Sequence, residues 1–140
     1  MIVELVSVGT ELLLGNIVNT NTQYLAEQCA LLGLSLYHQS VVGDNHDRLA
    51  EVVKTALGRS DVVILTGGLG PTEDDLTKEV CAEVMGYKLV EDPHTREHLE
   101  QFFKNNIYKE IPDNNWKQAM VPEGALVLDN HNGMAPGLIL

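Results

Sequence analysis

The stretch that decides the fold is DVVILTGGLGPTEDD, residues 61–75. Residues 61–66 are an apolar run of strand length, which predicts a β-strand buried on both faces of a sheet. Three glycines then turn the chain, and the segment behind them predicts a helix over residues 72–85. A strand, a tight glycine turn and a helix in this order are typical of a parallel α/β sheet.

The same alternation extends toward the N-terminus. Apolar runs predict strands at residues 2–8 and 34–42, and helical periodicity predicts helices over residues 21–32 and 45–57. The first of these helices has an apolar stripe that is predicted to lie in the core: Leu25, Cys29 and Leu32. Short connections between alternating strands and helices predict a parallel sheet covered by helices on both faces.

Beyond Gly86 the chain is more polar. We predict a short strand at residues 87–90, a helix from Pro93 to about residue 105, and a short helix at residues 114–120. Two further strands, at residues 125–128 and 137–140, are joined by a polar loop. The last strand runs to the end of the sequence without a turn, so we expect residues 1–140 to be one domain that continues further, and this chain to be a fragment of it.

Composition excludes several classes of partner. The chain has 9 Lys and Arg against 20 Asp and Glu, a formal net charge of −11, which argues against nucleic acid or an anionic membrane as partner. Its 140 residues are the size of one domain. Cys29 and Cys81 lie in helical stretches without a C-x-x-C spacing, and the N-terminus has no basic leader, so we expect reduced thiols in a cytoplasmic protein.

Three loops are candidates for a ligand site, because ligands of open parallel sheets bind beyond the carboxyl ends of the strands. The first loop offers Thr10, Glu11, Asn16, Asn19 and Asn21, although one of the asparagines is expected simply to cap the following helix. The second loop runs from Thr66 to Asp75. The third covers residues 130–137 and contains Gly133 and His131.

The second loop has the composition of a phosphate site. Gly67, Gly68 and Gly70 allow backbone N–H groups to approach an anion, and the predicted helix behind them would present its N-terminus to that anion. The loop matches neither the P-loop pattern, since no lysine follows, nor G-x-G-x-x-G. A phosphate is the ligand that this composition favours.

The acidic run of residues 73–75 has two interpretations. Thr72 and Asp75 fit a helix-capping box, which needs no ligand. Alternatively, Asp74 and Asp75 hold a divalent cation against the phosphate. Two like charges 4 Å apart repel by about 4 kcal/mol at an effective dielectric of 20, and a bridging cation reverses that sign.

One short motif is set aside. His94-Thr95-Arg96-Glu97-His98 matches H-x-x-E-H, the pattern of an inverted zinc-peptidase site. The stretch is polar, follows Pro93 as an ordinary helix start and has no evident third ligand, so we interpret it as a surface helix.

The first two loops together resemble a known family. Residues 9–21 (GTELLLGNIVNTN) and residues 66–75 (TGGLGPTEDD) are similar to the N-terminal domain of the CinA family of competence/damage-inducible proteins, within the molybdopterin-binding superfamily of MoaB, MogA and MoeA. Lys117-Gln118-Ala119, Pro122-Glu123-Gly124 and residues 130–137 resemble later family motifs. The resemblance spans essentially the whole chain and implies a three-layer α/β/α sandwich with a mostly parallel sheet.

The resemblance also implies a function. CinA-type domains are associated with metal-dependent hydrolysis of ADP-ribose to AMP and ribose 5-phosphate, and the molybdenum-cofactor relatives bind molybdopterin. Our main hypothesis is therefore a hydrolase of a nucleotide-sugar pyrophosphate that uses Mg²⁺, Mn²⁺ or Co²⁺ held by Asp74 and Asp75, with Glu11 nearby and Lys117 neutralising charge. Further residues are expected to bind the phosphates or the rest of the substrate: Thr10, Asn16, Asn19, Asn21, Thr66, Gly67, Gly68, Gly70, Thr72 and Gly133.

Two other hypotheses remain open. The first is a pterin-binding domain of molybdenum-cofactor biosynthesis. The second is a non-catalytic nucleotide-binding module, which is favoured by Met134, because the family usually has threonine at that place in the late loop. Relatives of this kind form dimers or trimers, so the resemblance implies a homo-oligomer.

Overall fold

The computed structural model describes residues 1–105 and 110–140. Its elements, in chain order, are β1 (Ile2–Val8), α1 (Thr10–Leu13), α2 (Thr20–Leu31), β2 (Ser35–Val42), α3 (His46–Leu57), β3 (Val62–Thr66), α4 (Thr77–Met85), β4 (Leu89–Glu91), α5 (Pro93–Asn105), a 3-10 helix (Asp113–Ala119), β5 (Met120–Pro122), β6 (Leu126–Leu128) and β7 (Gly137–Ile139). The described residues divide into two compact units, Met1–Gly68 and Leu69–Leu140.

The first unit is built on a parallel sheet with strand order β2-β1-β3. Its central strand β1 is buried over six of its seven residues, as expected for a strand with a neighbour on each side and helices above and below. Val3 and Leu5 of β1 pack against Cys29 of α2 to form the core on one face. The predicted parallel sheet is confirmed.

The opposite face of β1 carries a buried charge. Glu4 is fully buried, and successive side chains of a strand point to opposite faces, so its carboxylate lies on the side away from α2. Arg59 donates to this carboxylate through Nε at 2.9 Å and Nη2 at 2.7 Å, and the Ser60 hydroxyl donates at 3.1 Å. Because Arg59 and Ser60 directly follow α3, helices cover both faces of the sheet, and the expected α/β/α layering is confirmed.

Two predictions about burial in this unit are wrong. β3 is half-buried and Val62 is exposed, because β3 is an edge strand of the three-stranded sheet rather than a central one. Leu32, predicted to lie in the core with Leu25 and Cys29, is 72% exposed. The helix α2 ends at Leu31. Leu32 therefore lies outside the helix whose periodicity would have placed its side chain on the buried face.

The second unit begins with a turn rather than with the predicted helix. We expected a helix from Thr72, capped by that residue, but α4 begins at Thr77 and has Leu76 at its N-cap without a side-chain cap. In a helix the carbonyl oxygens of Thr72 and Asp75 would accept bonds four residues on. Here both oxygens accept from the Lys117 ammonium group instead, which explains the late start of α4.

The rest of the second unit consists of two antiparallel strand pairs, β4 with β5 and β6 with β7, and the helices between them. Asp92 caps α5 by accepting hydrogen bonds from the Thr95 backbone and hydroxyl, both at 2.7 Å, and Pro93 occupies the first helical position, which suits it. The guanidinium group of Arg96 lies 4.5 Å from the ring centre of Trp116 and so joins α5 to the 3-10 helix. Nowhere in residues 1–105 and 110–140 is there a helix with the length and apolarity needed to cross a bilayer.

Candidate ligand site

The carboxyl ends of the three parallel strands lie at one edge of the first unit. Ser7 near the end of β1 is paired with Thr66 at the end of β3, and the backbone N–H of Gly9 donates to the carbonyl oxygen of Val42 at the end of β2, at 2.9 Å. The predicted residues of the first loop therefore start from the edge of the sheet where ligands of such folds bind.

Gly67, directly after β3, has no room for a side chain. Its φ is +92°, and a Cβ atom placed there would lie 2.0 Å from the carbonyl oxygen of Val8. Gly68 also has a positive φ, of +62°. Both glycines are thus required by the backbone path itself, whatever else they do.

Asn19 has the capping role that we expected of one asparagine. Its Oδ1 accepts from the backbone N–H of Thr22 at 3.2 Å, and its Nδ2 donates to the Ser7 hydroxyl at 2.8 Å. The Ser7 and Thr22 hydroxyls lie 2.8 Å apart, which closes a small network between β1 and α2. Asn16 and Asn21 are exposed.

Thr10 is held by a residue that the sequence analysis missed. Asp44, just beyond β2, accepts from the backbone N–H of Thr10 at 3.0 Å and from its hydroxyl at 2.8 Å. The rule about carboxyl ends of strands could have found Asp44, because it follows β2 of the same sheet. Glu11 is exposed and its carboxylate folds over Gly9, where a Cβ atom would lie 2.6 Å from Oε1.

In the second unit, Asp75 organises the turn that precedes α4. Its Oδ2 accepts from the backbone N–H of Thr72 at 3.0 Å and from the Thr72 hydroxyl at 2.5 Å, and the carboxylate also accepts from the backbone of Gly70. A Cβ atom at Gly70 would lie 2.5 Å from this carboxylate. Partial burial raises the pKa of Asp75, but the hydrogen bonds from Thr72 and Gly70 and the charge of Lys117 outweigh it and hold the pKa below its usual value.

Lys117 secures the same turn from the 3-10 helix. Its ammonium group donates to the carbonyl oxygens of Thr72, at 2.8 Å, and of Asp75, and lies 3.8 Å from the Glu79 carboxylate. The structure therefore brings four of the predicted site residues together: Gly70, Thr72, Asp75 and Lys117. We call this arrangement, with residues 70–75 as its backbone, the clamped turn.

Two further residues of this unit support the clamped turn, and the sequence analysis gave neither of them a role in the site. Lys78 donates to the carbonyl oxygen of Lys117 at 2.6 Å; burial lowers its pKa, and nearby Glu79 raises it by less. Gln118 is buried, and its Nε2 lies 3.4 Å from the carbonyl oxygen of Leu69. Within the described residues, its Oε1 has no hydrogen-bond partner.

The carboxylates of the clamped turn face different surroundings. Glu73 and Asp74 are exposed, whereas Asp75 is half-buried. Among the residues that the structure describes, no three His, Cys, Asp or Glu side chains are grouped closely enough to hold a metal ion. Mg²⁺ commonly binds through only one or two carboxylates together with water and substrate phosphates, so the chemistry of Asp74 and Asp75 still suits it.

Gly133 lies in the loop between β6 and β7, which has its own internal bonds. Asn130 accepts from the backbone N–H of Asn132 at 3.0 Å and donates to the carbonyl oxygen of Ala135 at 2.9 Å. A Cβ atom at Gly133 would lie 3.1 Å from the Asn130 amide, so a small residue suits this position.

A parallel three-stranded sheet between helices, with glycine turns and polar residues beyond its carboxyl edge, defines an α/β protein whose candidate ligand site lies at that edge. The model of one family, described as "Probable molybdopterin binding domain", matches residues 4–140. The chain belongs to this molybdopterin-binding domain family.

Relatives and a solved structure show that the chain lies in the CinA branch of this family. Competence-damage inducible proteins of Caldicellulosiruptor saccharolyticus and Symbiobacterium thermophilum are 51% and 56% identical over 140 residues, all of this chain. The chain spans about a third of their length, 34% and 33%. The crystal structure of CinA from Thermoplasma acidophilum, described as of unknown function, has a TM-score of 0.90 at 31% identity, over 98% of this chain and 79% of that one.

A more distant structure shows the fold alone. The molybdopterin biosynthesis enzyme MoaB from Thermus thermophilus has a TM-score of 0.56 at 17% identity, over 86% of this chain and 78% of that one. The predicted family and the mixed α/β fold with a parallel sheet are thereby confirmed.

Proposed function

We propose that this domain binds a phosphorylated pterin-type molecule. The proposal rests on membership of the molybdopterin-binding domain family over residues 4–140, and on the chemistry of the clamped turn. Binding is a more general function than the hydrolysis that was the main hypothesis from the sequence, and it does not depend on a catalytic group.

The observation that carries the proposal is that the clamped turn is held in place by the protein's own side chains. Asp75 accepts hydrogen bonds from two residues of the turn, and Lys117 donates to two of its carbonyl oxygens. A turn fixed in this way loses little conformational entropy when a ligand binds, which favours affinity. It also presents Gly70 without a side chain and Asp74 exposed to solvent.

The role of Lys117 is narrower than the sequence suggested. Its ammonium group makes its hydrogen bonds to backbone carbonyl oxygens and pairs with Glu79. We therefore propose that Lys117 acts by holding the turn, and that the phosphate is bound by backbone N–H groups of the turn other than those of Gly70 and Thr72, which already donate to Asp75. The residues of the first unit that were predicted to bind ligand, among them Thr10, Asn16 and Asn21, remain predictions.

The test is a thermal-shift panel on the intact chain with a phosphorylated pterin, ADP-ribose, AMP and inorganic phosphate, each with and without Mg²⁺ or Mn²⁺. We expect the phosphorylated pterin to raise the melting temperature most. Equal shifts with inorganic phosphate, or no shift with any compound, would remove the proposal.

A second candidate function is metal-dependent hydrolysis of ADP-ribose to AMP and ribose 5-phosphate. The observation that favours it is an exposed carboxylate, Asp74, next to Asp75, whose pKa is held below its usual value. Asp74 and Asp75 would hold Mg²⁺, Mn²⁺ or Co²⁺, which would supply charge neutralisation at the phosphoryl oxygens when bound. Glu11 of the first unit keeps its predicted catalytic role as a hypothesis.

This second function is tested by AMP release from ADP-ribose with Mg²⁺, Mn²⁺ or Co²⁺, with chelator, and with Asp74→Asn. Release that requires the ion and falls at least tenfold in Asp74→Asn supports hydrolysis. Tight ADP-ribose binding without AMP release instead supports the non-catalytic nucleotide-binding module.

We also propose that the chain assembles with copies of itself, as a dimer or trimer, and acts in the cytoplasm. Large apolar side chains of α1, α2 and the segment between them are exposed: Leu13, Leu14, Ile17, Val18, Tyr24 and Leu31. Exposed apolar groups of this size favour burial against a partner. Sedimentation of the wild type and of Leu14→Glu tests the assembly.

The cysteines bear on the proposed location in the cytoplasm. Cys29 and Cys81 are both buried as free thiols, which suits a reducing compartment.

A further inference from the structure

The H-x-x-E-H motif, set aside as a metal site, has contacts of its own in the second unit. His94 Nε2 lies 2.7 Å from Asp129 Oδ1, and His98 Nε2 lies 3.5 Å from the carbonyl oxygen of Gly133. The two histidines are four residues apart on α5, so they share one face of that helix. Both contacts reach the same segment, residues 129–136, which we call the late loop.

We propose that the His94–Asp129 pair forms a protonation-dependent latch that holds the late loop against α5, with His98 as a second contact to the same loop. Both histidines are positioning residues: they touch the loop that carries Gly133, a predicted binding residue, and act through it. The latch itself does not depend on any ligand. Its consequence for binding rests on the proposed function.

The late loop and α5 also share a small pocket next to the latch. This pocket is lined by Thr95 and His98 of α5 and by Val127, Asp129, Asn130, Met134 and Pro136. Thr95 is buried, so α5 is packed at this place, although the neighbouring His94 is exposed. Met134, which departs from the family pattern, supplies an apolar wall at this place.

The charges around His94 favour its protonated form. The hydrogen bond to Asp129 and the charge of that carboxylate raise the pKa of His94, and Asp92 and Glu97 on the helix side raise it further. In return, His94 holds the pKa of Asp129 below its usual value, and the charges of His131 and His98 lower it too. The groups that face the pair from α5 and from the loop are thus Asp92, Glu97, His98 and His131.

The direction of the pH dependence follows from these shifts. The contribution of protonated His94 is fully present below the ordinary histidine pKa and is lost as the pH rises through the raised pKa of the folded state. At the acid end, the contribution of Asp129 is lost as the pH falls through its lowered pKa. The latch is therefore closed in mildly acidic to neutral solution and weakens in alkali and at high salt, since both side chains are accessible to solvent.

The experiment is a two-dimensional NMR titration of the intact chain between pH 5 and 9, following the His94 ring and the backbone amides of residues 129–136. We expect the amides of the late loop to titrate with the same midpoint as His94, above the ordinary value. In Asp129→Asn the His94 midpoint should fall toward the ordinary value, because the main cause of its raised pKa is removed while Asp92 and Glu97 remain. Late-loop amides that stay unchanged through the His94 titration would overturn the proposal.

Two further variants separate the latch from general structural damage. His94→Gln keeps an amide donor near the position of Nε2 but cannot titrate, so its late loop should stay docked and lose its pH dependence. His46→Gln is the matched control, since His46 lies in the first turn of α3 and contacts Asp47 at 3.0 Å. If His46→Gln abolishes the late-loop titration as fully as Asp129→Asn does, the latch is wrong.

The coupling to ligand is measured separately, as the dissociation constant of the phosphorylated pterin at pH 6 and pH 8.5. We expect at least threefold weaker binding at pH 8.5 in the wild type and no such change in His94→Gln. Binding that is independent of pH in the wild type, despite a late loop that titrates, contradicts the coupling but leaves the latch. Absence of binding at both pH values contradicts the proposed function instead.

Discussion

The Asp75 carboxylate accepts two hydrogen bonds from Thr72, from its backbone N–H at 3.0 Å and from its hydroxyl at 2.5 Å. This is half of a helix-capping box, formed where there is no helix, because α4 starts only at Thr77. The hydrogen bond from the Thr72 backbone N–H to the Asp75 carboxylate, which in a capping box stabilises the start of a helix, closes a turn in this chain. Of the two interpretations weighed for this acidic run, the capping-box contact is partly formed, and ligand binding stays a prediction.

Replacing Asp75 should loosen the turn without unfolding the domain. We expect Asp75→Ala to lower the free energy of unfolding by about 1–2 kcal/mol, because it removes hydrogen bonds to a charged acceptor that is only half-buried. Asp75→Asn, which keeps one acceptor oxygen, should lose less. Denaturant unfolding at pH 7 measures both, and equal stability of Asp75→Ala and the wild type would contradict the role given to this carboxylate.

The effect of Asp75→Ala should also depend on pH. The pKa of Asp75 is held below its ordinary value of 3.8, so its carboxylate stabilises the folded state above that value, and the contribution is lost as the pH falls through the folded-state pKa. We expect the difference in unfolding free energy between the wild type and Asp75→Ala to shrink between pH 5 and pH 2. A difference that grows in acid would show that the sign is wrong.

Lys117→Met should weaken ligand binding more than it weakens the fold. Methionine keeps much of the side-chain length but cannot donate to the carbonyl oxygens of Thr72 and Asp75. We expect the dissociation constant for the phosphorylated pterin to rise about tenfold, or 1.4 kcal/mol. Lys54→Met, on the exposed side of α3, is the control, and calorimetric titration is the measurement.

Gly67→Ala should destabilise the first unit severely. The new Cβ would lie 2.0 Å from the Val8 carbonyl oxygen at a φ of +92°, so two strand ends must move apart. We expect a loss of roughly 3 kcal/mol or more. Gly15→Ala, at a φ of +74° with no atom within 4 Å of the Cβ, carries only the conformational strain of about 1 kcal/mol. Equal losses in thermal unfolding would contradict the close approach.

The buried ion pair predicts a further stability difference. Glu4 is fully buried and its carboxylate meets Arg59 in a two-bond contact. This pairing outweighs burial and holds the pKa of Glu4 below its usual value. We expect Glu4→Gln to lower the free energy of unfolding by about 2 kcal/mol, because the neutral amide replaces the buried carboxylate that accepts two hydrogen bonds from Arg59. Glu51→Gln, on the exposed side of α3, should change it by less than about 0.5 kcal/mol.

Much of the fold was predictable because it is coded locally. The apolar runs of β1 and β3, the periodicity of α3 and the glycine turn after Thr66 all lie in short stretches of sequence, and their bounds agree closely with the structure. The start of α4 was not predictable in this way. It depends on Lys117, which lies 45 residues from Thr72 in sequence, and no local pattern contains such a contact.

The candidate site was predictable in its residue types but not in its contacts. Gly70, Thr72 and Asp75 were selected as candidates because they lie in the glycine-rich, acidic loop. Asp44 and Lys78 were not selected, because the residues that they contact are distant in sequence. His94 shows the same limit. Its motif suggested a metal, and only the three-dimensional contact with Asp129 indicates another use.

The central claim is that the clamped turn binds the phosphorylated ligand through its backbone. The most direct measurement is an NMR titration of the intact, ¹⁵N-labelled chain with a phosphorylated pterin, following the amides of residues 70–75. The account predicts saturable shifts of these amides in the wild type and in Lys54→Met, and weaker binding in Lys117→Met. Saturable binding that leaves the amides of residues 70–75 unmoved, or that is unaffected by Lys117→Met, would contradict it.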